Sequence, residues 1–148
     1  SEGSAELHVH DAQSSMLTNS RNQRFGDAVH CPMTTLDSLV RSRGLPWPDL
    51  IKLDLQGAEL LCLRGATECL KRAEVVILEV SFFPFYSGNP LIGDVIPFMS
   101  DRGFRCYDIS GLWRRPLDNA LAQGDFFFVR SDSRLLADPR WSDTSAWS

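Results

Sequence analysis

The sequence predicts an α/β fold with a parallel sheet, and three observations carry that prediction. A short strand, Leu50 to Leu55, runs through a turn at Gly57 directly into a helix. The helix is marked by apolar residues at spacings of three and four: Leu60, Leu63, Ala66, Cys69 and Leu70. It leads to a second apolar strand, Glu74 to Val80. Strands that alternate with helices are the unit of parallel sheets, and two strands joined by one helix usually lie side by side.

The chain has 148 residues, the length of one domain, and can bury about 70% of its unfolded surface. Hydrophobic residues make up 43% and charged residues 23%, which excludes a wholly disordered chain. A formal net charge of −4 provides no basic footprint for nucleic acid or for an anionic membrane. The expected partner is therefore a small-molecule substrate. No run of 18 apolar residues is present to span a membrane, and no charged-then-apolar leader opens the chain, so a cytoplasmic location is expected. The four cysteines contain no Cys-x-x-Cys, and Cys62, Cys69 and Cys106 fall in apolar patterns, as buried thiols of a reducing compartment would.

Taken in order, Ala5 to His10 alternates as a half-buried strand with Leu7 and Val9 inward and His8 and His10 on the other face. Two histidines so spaced can ligate a metal, but no third ligand lies nearby, so no metal site is expected. Residues 11 to 27 are rich in Ser, Asn, Gln and Arg and read as a surface loop, in which Ser14 and Ser15 are weak site candidates. Ala28 to Met33 is a second short strand, and Pro32 places it at an edge. Thr34 or Thr35 caps a helix from Leu36 to Arg43, with Asp37 in the first turn against the helix dipole and Gly44 just past its end. Pro46-Trp47-Pro48 then forces an extended link.

Along the strand that follows, Ile51, Leu53 and Leu55 point to one side and Lys52, Asp54 and Gln56 to the other. Parallel strands are normally apolar on both faces, and an unpaired buried charge costs several kcal/mol, so these polar groups pair, bind a ligand or sit at an open strand end. Ligands of open parallel sheets sit beyond the carboxyl ends of the strands, where Asp54, Gln56 and the next helix gather. A structural Lys52–Asp54 pair is the alternative. Glu79 is likewise a carboxylate at the far end of an apolar run, so the two strand ends should bring it beside Asp54.

Gly65 falls midway along the helix after Gly57, where close packing or a break is expected. Beyond Glu79, Phe82-Phe83-Pro84-Phe85-Tyr86 is the most apolar loop, and Phe83, Phe85 and Tyr86 are candidate substrate-binding residues. The loop can equally cap the core or an interface. Leu91 to Met99 forms another helical stripe, with Pro97 either near its start or at a kink. Phe104 to Ile109 and Phe126 to Arg130 read as strands joined by a long loop holding Trp113, Arg114 and Arg115. The tail after Ser131 is aperiodic and carries Trp141 and Trp147.

Several runs, in this order, resemble the FkbM family of S-adenosylmethionine-dependent methyltransferases: Thr34-Thr35-Leu36-Asp37-Ser38-Leu39, Pro48 to Glu59, Leu63-Arg64-Gly65-Ala66, Val76-Ile77-Leu78-Glu79-Val80, and Gln123 to Val129. Gln56 stands where that family usually has glutamate. The resemblance implies the C-terminal part of a Rossmann-like class I methyltransferase fold, a parallel sheet ending in an antiparallel hairpin, as one partial domain: extra strands and a loop over 1–33, a core over 34–130 and a tail over 131–148. It also implies an upstream half with a glycine-rich turn for the methionine part of S-adenosylmethionine. No strand here opens a helix through a Gly-x-Gly pattern, and the first nine residues are too short for a βαβ unit of about 30.

The function expected is S-adenosylmethionine-dependent O-methylation of a small molecule or sugar hydroxyl. Asp54 and Glu79 are the candidate bases or positioners, with Lys52 tuning Asp54; Asp54, Gln56 and Gly57 are the candidate cofactor wall. A non-catalytic interaction module that keeps the half-fold is the alternative from another class. If the strand Leu50–Leu55 lacks a partner on one side, its bare edge is expected to recruit a second copy, giving a homo-oligomer.

Overall fold

In the computed structural model, which describes residues 3–9, 16–17 and 27–140, two sheets form, of two and four strands. The small sheet is an antiparallel pair, β1 (Gly3–Val9) and β2 (Asp27–Met33), with Pro32 opposite Ser4. Thr35 Oγ1 accepts from Ser38 N at 3.1 Å and starts α1 (Leu36–Arg43), which ends at Gly44. The extended link then carries Trp47, whose ring lies 4.5 Å from the Arg72 guanidinium, into β3 (Leu50–Leu53).

The expected helix after Gly57 is two helices, α2 (Glu59–Arg64) and α3 (Thr67–Arg72), broken at Gly65-Ala66. A Cβ on Gly65 would stand 3.0 Å from both Cβ and Cγ2 of Thr35, so α1 packs against bare backbone there. Gly65→Ala is accordingly expected to destabilise the fold by roughly 1–2 kcal/mol through overpacking. Helix propensity alone predicts the opposite sign. A raised denaturant midpoint in Gly65→Ala would refute the contact.

Parallel to β3 and beside it runs β4 (Val75–Ser81), in the register Ile51↔Val76 and Leu53↔Leu78. Helix α4 (Ile92–Ser100) holds Pro97 inside it and begins where Asp94 Oδ2 accepts from Leu91 N at 2.9 Å. The last two strands, β5 (Phe104–Arg114) and β6 (Leu121–Arg130), are longer than expected: Trp113 and Arg114 belong to β5, and the connection shrinks to a turn. The sheet order is β3-β4-β6-β5, with β6 antiparallel to both neighbours, so the second strand of the hairpin, not the first, joins the parallel pair.

Alternation splits the sheet into two faces. Ile51, Val76, Leu78, Val80, Phe126 and Phe128 are buried against Leu60, Leu63, Leu70, Val95 and Met99 of the helices. The other face carries Lys52, Ile77, Glu79, Gln123, Asp125 and Phe127, exposed or half-buried. No strand among the described residues pairs with the outer side of β3, and neither β1 nor β2 covers it. Leu50 is 54% exposed there.

Among the cysteines, only Cys69 is fully buried; Cys31 and Cys62 are half-buried and Cys106 is exposed on β5, against the expectation of buried thiols. Every β5 residue after Phe104 is exposed, so Cys106 sits on an edge strand whose side chains are not covered. No helix among the described residues is long and apolar enough to cross a membrane. The candidates His10, Ser14 and Ser15 and the tryptophans Trp141 and Trp147 lie outside the described residues, as does the side chain of His8.

Candidate active site

Just past the end of β3 the chain turns through Gln56 and Gly57, both with positive φ, 50° and 97°. Glu59 closes this turn from the start of α2: its Oε1 accepts from Leu55 N at 2.8 Å and from Gly57 N at 3.2 Å. A Cβ on Gly57 would meet Asn89 Cβ at 2.7 Å and Leu17 Cδ1 at 3.0 Å, which accounts for the glycine. Gly57 is thus a close-packed position in the turn beside Gln56.

Because β3 and β4 are parallel neighbours, their ends bring Asp54 and Glu79 together, as expected. Gln56 bridges them: its Nε2 donates to Asp54 Oδ1 at 2.9 Å and to Glu79 Oε2 at 3.3 Å. Its Oε1 accepts from Tyr86 Oη at 2.7 Å, which draws the apolar loop into the site. From β6, Gln123 Nε2 donates to the same Glu79 Oε2 at 2.9 Å and to Ser81 Oγ at 3.4 Å. Asp125 stands opposite Glu79 in the register.

Lys52 does not pair with Asp54. Its Nζ lies 3.8 Å from Asp125 Oδ1, reached across β4, and half of the side chain is exposed. The Lys52 and Asp125 side chains lean toward each other over β4 to span the two strand spacings between β3 and β6, whereas the Asp54 carboxylate is held by Gln56 beyond the strand end.

Phe83 and Phe85 lie with their rings tilted at 43° and 5.9 Å apart, and the Arg115 guanidinium covers Phe83 at 4.0 Å. They wall the loop but make no hydrogen bond into the cluster; of the three aromatic candidates, Tyr86 alone joins it. Arg114 and Arg115 are engaged locally, Arg114 with Asn119 O at 2.9 Å and Arg115 Nε with Asp118 Oδ1 at 2.7 Å.

Electrostatics follow from this crowding. Burial pushes the Glu79 carboxyl up from its usual 4.5 to about 7, and the facing carboxylates of Asp54, Glu59 and Asp125 add to the rise while Lys52 opposes it. Glu59 is also raised, chiefly by burial. The Tyr86 phenol is raised by burial and then by Glu79 and Asp54. Glu79 is therefore a carboxyl poised to take or release a proton near neutrality.

Sequence reasoning missed Glu59, Ser81, Gln123 and Asp125. The signal was present for the last two, since alternation along Leu121–Arg130 places Gln123 and Asp125 on one face. Among the described residues no group of three or more His, Cys, Asp or Glu is placed to hold a metal ion.

The family model described as "Methyltransferase FkbM domain" matches residues 2–106. No curated protein and no solved structure gives a significant match.

Proposed function

The chain belongs to the methyltransferase FkbM domain family, and from that premise we propose that it works with S-adenosylmethionine to methylate a hydroxyl of a small molecule or sugar. The observation that carries this reading is the half-buried Glu79, with a pKa of about 7, at the mouth of a parallel strand pair. A parallel pair completed by an antiparallel hairpin also supports the class I methyltransferase fold. The four free cysteines support a reducing, cytoplasmic setting.

Bound S-adenosylmethionine would supply a methyl group on a positively charged sulfur. The Asp54 and Glu79 carboxylates suit that reacting end, whereas no glycine-rich strand-to-helix turn for its amino-acid end is found among the described residues. Glu79, when ionised, receives the proton of the acceptor hydroxyl, and its poise near neutrality matches that task. Asp54, held by Gln56, orients the acceptor and adds negative charge. Phe83, Phe85 and Tyr86 form an apolar wall that holds water back from the acceptor.

Asp54→Asn is expected to lower transfer of labelled methyl from S-adenosylmethionine to hydroxyl acceptors about tenfold or more, with the thermal melt unchanged. Normal transfer together with a lower melting temperature would make Asp54 structural and remove it from the mechanism.

We also propose that the bare side of β3 pairs with a second copy of the chain across a two-fold axis, because an edge strand with a row of unpaired N–H and C=O groups is a template for pairing with another chain. Light scattering is expected to show a dimer in which the Leu50 and Lys52 amides, which point away from β4, exchange slowly. A monomer with fast exchange there would overturn this assembly.

A further inference from the structure

Gln56 is a non-glycine residue held in the left-handed region, at φ 50°. That conformation costs roughly 1–2 kcal/mol and persists where the surroundings impose it. Its side chain ties together three segments that are distant in sequence: the end of β3 through Asp54, the end of β4 through Glu79, and the loop after β4 through Tyr86. The Tyr86 hydroxyl donates to Oε1, so the amide is not free to flip, and its two N–H groups point to the carboxylates.

The two oxygens of Glu79 consequently differ. Oε2 accepts from both Gln56 and Gln123, while Oε1 has no hydrogen-bond partner among the described residues. An oxygen that already accepts two amide N–H groups is a poor place for a proton. The proton therefore resides on Oε1, and Oε1 is the atom left to receive one.

We propose that Gln56 is the positioning residue that directs the Glu79 proton to Oε1 and keeps this carboxylate available as a base, by donating to it and to Asp54 from an amide locked by Tyr86. That Oε1 takes its proton from an acceptor hydroxyl rests on the methyltransferase reading; the placement of the proton does not. The groups that face Glu79 are Lys52 from β3, Asp54 just past its end, Glu59 from α2, Tyr86 from the loop and Asp125 from β6. Beside these groups, Gln56 and Gln123 are the amides that donate to Glu79. A glutamate at position 56 would remove one of those donors and add a further negative charge.

The test is a carbon-13 NMR titration of the Glu79 side-chain carboxyl, assigned by the signal lost in Glu79→Gln, in the whole chain and without any ligand. Gln56→Glu is expected to move the Glu79 midpoint up by about one pH unit or more, a tenfold gain in proton affinity. Gln56→Met, similar in shape and unable to donate, is expected to move it up by less. Tyr86→Phe, which frees the amide to flip, is expected to shift it in the same direction while the fold stays intact. If Gln56→Glu does not fold, Gln56→Met and Tyr86→Phe carry the test. A Glu79 midpoint that stays at its wild-type value in folded Gln56→Met and Tyr86→Phe overturns the proposal, whatever the protein does with S-adenosylmethionine. Shifted midpoints in a protein that transfers no methyl group would leave the proposal standing and count against the proposed function alone.

Discussion

Glu79→Gln is expected to reduce methyl transfer by a factor on the order of 10² to 10⁴, the range a positioned general base supplies, and yet to raise the melting temperature by roughly 2–6 °C at about pH 8. The amide keeps the size of the side chain and an oxygen that can accept from Gln56 and Gln123, but it cannot take a proton from an acceptor. The gain in stability comes from removing a charge that the fold disfavours. The folded-state pKa of Glu79, about 7, lies above its usual 4.5, so between those values the folded chain holds a proton that the unfolded chain has released. The stability that Glu79 contributes is complete below pH 4.5 and lost as the pH rises through 7. Glu79→Gln should therefore melt higher than wild type on the alkaline side and together with it at about pH 4.5. Equal melts at both pH values would show that the Asp54, Glu59 and Asp125 carboxylates do not crowd Glu79. Full activity in Glu79→Gln would take the base out of the mechanism.

The largest loss of stability is expected at Asp37→Ala. Asp37 is buried in α1, where its Oδ2 accepts from Glu68 N at 2.8 Å and its Oδ1 from Cys69 N at 2.9 Å. These are N–H groups from the first turn of α3, so the carboxylate fastens one helix onto the start of another. Loss of two charge-assisted bonds and exposure of those donors to an apolar gap is expected to cost about 3 kcal/mol, or roughly 6–12 °C in melting temperature. Burial alone would raise the Asp37 pKa, but the N–H groups of Glu68 and Cys69, helped by Arg41, outweigh it and hold the pKa below the usual 3.8. Its stabilisation is thus present above that value and lost as the pH falls through the lower folded pKa. A melt of Asp37→Ala that converges on wild type in strong acid and falls well short at neutrality is the expected pattern. Parallel melts at every pH would assign the loss to packing instead of charge.

Asp37 also shows where local reading stops. Its place in the first turn of α1 pointed to that helix's own dipole, a contact within one segment. Its real partners are 31 and 32 positions away, and they became available only because the chain breaks at Gly65-Ala66 and begins a new helix at Thr67. Gly65 flagged the break; what fills the place of its missing side chain, Thr35, was not legible. Lys52 teaches the same point. The strand period put it on one face with Asp54, but which carboxylate it meets depends on β6 lying next to β4, a long-range pairing that the sequence leaves open.

What the sequence determined by itself is what short-range periodicity and turn chemistry control. The strand that starts at Leu50, though it ends at Leu53 and not at Leu55, the turn at Gly57, the helix cap at Thr34 or Thr35, which proves to be Thr35, the stop at Gly44 and the burial of Val76, Leu78 and Val80 each depend on residues within a few positions. The meeting of Asp54 with Glu79 was also legible, because a single helical connection sets two strands side by side. The tertiary structure alone decided that Gln56 would bridge both carboxylates, that Tyr86 would lock its amide and that Gln123 would share Glu79 Oε2. Apart from Gln56 with Asp54, these contacts join residues 23 to 44 positions apart in sequence. They follow from β6 inserting between β4 and β5 and from the loop after β4 folding over the strand ends, and no local pattern encodes either.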